Sequence, residues 1–109
     1  MAQVYKVLGQ SNPTATTPTD AYTVPASTTA VISSVLVANR SAAPQTFRIS
    51  VRVAGAGADN KQYLAYDMAI PANDTVFFQV GITLAATDVL TVYASAQQLA
   101  FNVFGVENT

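Results

Sequence analysis

Six carboxylates and five cations are all the charge this 109-residue chain carries, and it has neither histidine nor cysteine. That excludes Ser-His and Cys-His nucleophilic catalysis, and it excludes metals held by imidazole or thiolate. A glycosidase could still work with two carboxyl groups across a sugar bond. The candidates are Asp20, Asp59, Asp67, Asp74, Asp88 and Glu107. Asp74 and Asp88 stand where turns favour Asp, which bonds its own backbone there. Asp59 falls in a glycine-rich turn, and Asp67 lies on the polar side of a strand. Nothing in the spacing gathers two acids into a cleft, so no catalytic residue is expected and the enzyme reading is the weakest. A calcium ion needs about six to eight oxygens. Asp59-Asn60 and Asn73-Asp74 offer a few, and turn chemistry explains them better. No metal or cofactor is expected. The Asn-x-Ser/Thr triplets at 39–41 and 73–75 match an acceptor pattern that is common by chance.

The cations are more telling. Arg40, Arg48 and Arg52 cluster around "TFRISVRVAG", Thr46 to Gly55. Here Phe47, Ile49, Val51 and Val53 alternate with Thr46, Arg48, Ser50 and Arg52, as on a strand with one apolar and one polar face. Arg48 and Arg52 therefore share a face, about 13 Å apart. They either solvate that face or reach a partner's carboxylates and carbonyls, for which the planar guanidinium is well suited. Five tyrosines are also present. Sheet-face packing is the plainer role for Tyr63, Tyr66 and Tyr93, but Tyr63, Tyr66 or Phe77 could serve as an aromatic platform for sugars. Arg40, Arg48, Arg52, Tyr63, Tyr66 and Phe77 are the interface candidates.

The elements that must position them are nearly all strands. Short alternating or apolar runs cover Gln3–Gly9, Ala21–Pro25, Thr29–Asn39, Thr46–Gly55, Gln62–Ile70, Thr75–Leu84, Asp88–Ser95 and Leu99–Val106. Gln10–Asp20, with Pro13 and Pro18, reads as a loop or extended arm. Thr29–Asn39 is apolar on both faces, which marks a central, buried strand. Leu64, Tyr66, Met68 and Ile70 fall on one side of their strand; Val76, Phe78, Val80 and Ile82 fall on one side of theirs. "PAND", Pro71 to Asp74, suits a turn. Eight strands at this spacing predict an all-β, eight-stranded antiparallel β-sandwich, jelly-roll-like, with an N-terminal arm. The domain division is 1–20, strand and arm, then 21–109, the sandwich.

Hydrophobic residues make up 50% of the chain and charged residues only 10%, with a net charge of −1. An ordinary soluble domain is about 25% charged. Nucleic acid is an unsuitable partner, because displacing counterions from phosphates needs a basic surface. No apolar run approaches the roughly 20 residues that span a bilayer, and no partner membrane is expected. The N-terminus lacks the apolar centre of a signal peptide, so synthesis in a cytoplasm is expected. A skin of Thr, Ser, Ala, Asn and Gln with so little charge is expected to lie against other protein.

"YTVPASTTAVISSVLVANRSAAPQTFRISVRVAG" and "NKQYLAYDMAIPANDTVFFQVGITLAATDVLTVYAS" resemble small virion structural proteins of tailed bacteriophages and prophages. The resemblance covers about Tyr22 to Val106 and rests on strands and turns. It implies a β-sandwich on the outside of a particle assembled in the host cytoplasm: a capsid cement or decoration protein, often a trimer, set between capsomers. Its partners would be copies of itself and the major capsid protein. The alternative it implies is a neck, tail or fibre component with a role in binding host-surface carbohydrate.

Overall fold

The computed structural model describes residues 2–79 and 81–109. It is an all-β sandwich of two antiparallel sheets. The strands are β1 (Gln3–Ser11), β2 (Thr19–Thr23), β3 (Thr29–Asn39), β4 (Gln45–Arg52), β5 (Tyr63–Ile70), β6 (Thr75–Phe78), β7 (Ile82–Leu84), β8 (Val89–Ala94) and β9 (Leu99–Asn108). The first sheet runs β1-β9-β3-β6, with β7 also paired to β3; the second runs β2-β8-β4-β5. No helix of the described residues is long and apolar enough to cross a membrane.

Alternation explains the layers. Leu99, Phe101 and Val103 of β9, Ile32, Val35 and Val37 of β3, and Phe47 and Ile49 of β4 all turn inward and are buried. Successive side chains on a strand take opposite faces, so one phase fills the core and the other forms the outer skin. Phe47 is the hub. Its ring meets Phe78 and Phe101 edge-to-face, with centroids 6.0 and 6.1 Å apart, an arrangement the ring quadrupoles favour.

Among the described residues nine strands stand where eight were expected. Thr75–Leu84 breaks into β6 and β7, which lie on the same flank of β3: Val35 pairs with Phe78 and Ile32 with Ile82. The register with β3 differs by one residue between the two pairings. Val76, Phe78 and Ile82 pack against the core as expected; Val80 lies outside the described residues.

Two other expectations are corrected. Val53 does not continue the apolar face of β4. The strand ends at Arg52, and Val53–Gly55 forms a 3-10 turn with Ala54 in the left-handed region at φ 54°. The Asp88 carboxylate accepts the Ala54 N–H at 2.8 Å and holds the turn, leaving Val53 68% exposed. In β5 the phase slips. Ala65 and Ile70 are buried while Leu64 and Tyr66 are exposed, because the pairing with β4 shifts on both sides of Ala65 and Asp67 takes φ 49°. Met68, opposite Phe47, is 40% exposed at the sheet edge. The predicted "GAGADN" turn contains a second 3-10 turn, Asn60–Gln62, capped by Asp59 and Gln62 in a reciprocal box.

Residues 3–11 pair with β9 along its length, with a register shift at Leu8. β3 carries a matching shift at Ser33 on the other side of β9. Gly105 lies opposite both irregular stretches. A Cβ there would run into the Val31 carbonyl oxygen, so only glycine allows the flanking strands to close in.

Candidate interaction faces

The two sheets turn very different outer faces to their surroundings. On the second sheet, one row crosses all four strands: Asp20, Thr91, Ser50 and Tyr63 are successive register partners. Beside it stand Arg48, opposite Tyr93, and Arg52, opposite Val89. The two arginines share a face, as their spacing predicts.

Both are engaged by their own chain. The Arg48 guanidinium donates to both Asp67 oxygens, at 2.7 and 3.3 Å. It is held between the rings of Tyr66 and Tyr93, 4.2 and 4.3 Å from their centroids. The hydrogen bond to Asp67 holds its pKa above the ordinary guanidinium value. Arg52 donates to the Thr91 hydroxyl, the Gly55 and Ala56 carbonyls, and Asp20 at 2.8 Å. The left-handed bend at Asp67 is what aims its carboxylate at Arg48. Asp tolerates that conformation better than most residues.

Around these pairs lies a cleft of about 270 Å³, lined in part by Asp20, Arg48, Ser50, Arg52, Tyr63 and Tyr93. Tyr63 and Tyr66 meet edge-to-face at 4.8 Å. Four of the six interface candidates are thus brought together here. Arg40 is not among them: it sits exposed in the loop after β3, its backbone N–H bonded to the Gln98 carbonyl. Phe77 is on the opposite side of the molecule.

The first sheet's outer face is built from the other phase of β1, β9, β3, β6 and β7. Tyr5, Val106, Val31 and Thr83 form one row. Val7, Phe104 and Ser34 form the next. Gln10, Asn102, Leu36 and Phe77 form a third, and Ala100, Ala38 and Thr75 a fourth. None of these residues is charged. Tyr5 is 77% exposed, Phe77 60% and Val7 48%. The one paired polar couple is neutral: the Gln10 amide donates to the Asn102 oxygen at 2.8 Å. The expectation that β3 is central holds, since it lies between β9 and β6/β7. Its second apolar side is this open face.

Glu107 and Asn39 escaped the sequence reading, while Asp88 has the expected turn role and one long-range bond besides. Glu107 is buried, accepts the Tyr22 hydroxyl at 2.6 Å and pairs with Lys6 at 2.9 Å. It ties β9 of one sheet to β2 of the other. The bonds from Tyr22 and then Lys6 hold its pKa below the ordinary carboxylate value; burial and the same bond push the Tyr22 phenol well up. Asn39, inside an apparent glycosylation triplet, is buried. Its amide donates to the Ala43, Ile70 and Pro71 carbonyls, clamping two loops together. Asp88 accepts from Ala54 and Ala85. Only a polar residue interrupting an inward apolar phase, as Glu107 interrupts β9, could have signalled such roles. The described residues contain no group of three or more acids arranged to hold a metal ion. Comparison with protein-family models and with curated proteins finds no match.

Proposed function

We propose that this chain is an assembly protein of a virus particle, in particular a capsid cement or decoration subunit of a tailed phage. The observation that carries the reading is the uncharged outer face of the first sheet. Contiguous exposed apolar surface on a small domain marks a place where another molecule lies. Burying it desolvates no ion. Repeated by the symmetry of a shell, modest contacts of this kind would add to firm attachment.

The strand order supports a jelly roll. If β6 and β7 are taken as two parts of one interrupted strand, each sheet has four strands and the chain passes between sheets in the manner of that fold. Capsid proteins are among its users, although a fold alone fixes no function. The proposed location is the outside of the particle, on the head or at the neck or tail, with copies of itself and the major capsid protein as partners.

Co-sedimentation tests this. The purified protein is mixed with empty shells of the major capsid protein encoded nearest its gene. Saturable binding at a fixed ratio to capsomers is expected. Protein that stays in the supernatant at every micromolar concentration overturns the reading.

The cleft on the second sheet favours a second reading, a host-surface carbohydrate site on a neck, tail or fibre component. Tyr63 and Tyr93 with the Arg48 guanidinium and the Asp20 carboxylate offer ring faces and planar polar groups for hydroxyls. Binding on a glycan array, lost in Tyr63→Ala, would select it; an empty array removes it.

A further inference from the structure

We infer that the occupant of the uncharged face is a second copy of the same chain, laid sheet against sheet about a two-fold axis. This rests on the assembly reading and names the partner for its principal surface.

The first argument is self-complementarity. In a two-fold contact the same patch serves both copies, and residues near the axis meet their own counterparts. A charge there would face a like charge. The four outer rows contain none. Lys6 on neighbouring β1 turns to the other side, where it meets Glu107.

The second argument is the missing layer. β3 and β9 are the inner strands of their sheet, and both carry large apolar side chains on both sides, with Ser34 and Asn102 among the outward ones. Ile32, Val35, Phe101 and Val103 point in; Val31, Leu36, Phe104 and Val106 point out. An antiparallel sheet can leave one side to water, but large apolar side chains on that side favour a cover. Within one chain only the inner side is covered. An identical sheet packed about 10 Å away, its strands turned by about 30°, supplies the other cover.

The third argument is size. β9 contributes ten residues. At ~3.4 Å per residue along the strand and ~4.8 Å between four strands, the flat footprint is roughly 600 Å². The relief of rings such as Tyr5 and Phe77 enlarges the accessible surface beyond that. A standard interface takes about 800 Å² from each partner.

The stoichiometry follows. Pairing consumes the patch on both copies. The opposite face is centred on the Arg48–Asp67 and Arg52–Asp20 ion pairs, and its exposed Leu64, Tyr66 and Met68 lie on the edge strand β5, so it does not repeat the uncharged patch. A trimer needs two different patches on each copy. Association therefore closes at two, and the shell contact is left to the edges and to exposed Leu64, Tyr66 and Met68 on β5.

Light scattering on the purified full chain, from about 1 to 200 μM, reads the result. A species of two 11.4 kDa chains is expected. Val31→Lys and, separately, Phe77→Glu each weaken pairing at least tenfold while circular dichroism and the denaturation midpoint hold. Leu64→Asp, on the other sheet, leaves the mass unchanged. Phe77 is exposed enough that its variant folds even if Val31→Lys does not. A single-chain mass throughout, a three-chain mass, or folded variants that pair as tightly as the parent would overturn the inference. A single-chain protein that still sediments with shells would remove the pairing and leave the assembly reading standing. One that binds neither itself nor shells removes both.

Discussion

The outer faces of the two sheets share one interior yet follow opposite chemistry. On the second sheet, Arg48, Asp67, Arg52 and Asp20, with Thr91, cross-link four strands and the turn after β4, and tyrosine rings enclose one guanidinium. Its polar groups find their partners within the chain. On the first sheet the equivalent positions are Val, Phe, Leu, Ala and Tyr with a few neutral amides and hydroxyls, of which Gln10 and Asn102 bond each other. The difference teaches that the scarcity of charge in this protein is local. The chain concentrates its ions on one side, in the loops and at one buried tie, and leaves the other side bare. Arg48 and Arg52, which look like contact residues in the sequence, are engaged within their own chain. The residues that look like core are those still exposed.

The contrast depends first on the interior common to both faces. Phe47→Ala removes the ring that Phe78 and Phe101 pack against, and it should lower stability by about 3–5 kcal/mol. Chemical denaturation would show both faces lost in one transition. Next comes the tie between sheets. Glu107→Gln should cost about 1–3 kcal/mol, since it weakens the bonds from Lys6 and Tyr22 at a buried site. The carboxylate titrates below its ordinary range in the folded state, so its contribution is complete above that range and lost as pH falls through the lowered value. The parent and Glu107→Gln midpoints should therefore converge in acid. The Tyr22 phenol is raised, so its contribution is complete below the ordinary value of 10.0 and fades as pH climbs beyond it.

A smaller effect should come from Arg48→Lys. It keeps the charge but loses the two-pronged bond to Asp67 and the stacking between rings. The expected result is a modest fall in melting temperature and a change in tyrosine fluorescence, with self-association unaltered. A change in association here would erase the contrast between the faces. The smallest effect on folding belongs to Phe77→Glu, within about 0.5 kcal/mol, although it should disrupt pairing most visibly. If that variant proved strongly destabilised, the bare face would be contributing to the single chain and not to contact.

Much of the fold could be read from the sequence because strand phase is a local property. Phe47, Ile49 and Val51 alternate with Arg48, Ser50 and Arg52, and the structure keeps that phase. What escaped depends on non-local pairs. No period in β5 announces that Asp67 will bend the strand to meet Arg48, 19 residues away. Nothing near Tyr22 points to Glu107, 85 residues along. Val53 looked like core because the pull of Asp88 on the Ala54 backbone is invisible until the turn is formed. The candidate residues divided for the same reason. Arg48, Arg52, Tyr63 and Tyr66 converge through strand register, whereas Phe77 needed the sheet order to place it on the far side.

The break between β6 and β7 has one last consequence. It divides an outer border of the first sheet into pieces of four and three residues with a jog between them. A border so short and offset is a poor template for a foreign strand, whose hydrogen bonds would fall out of step at the jog. Copies crowded together at high concentration are thereby discouraged from zipping edge to edge into endless ribbons. A protein with this much bare surface gains a safeguard against fibre growth from what looks like a flaw in its pleating.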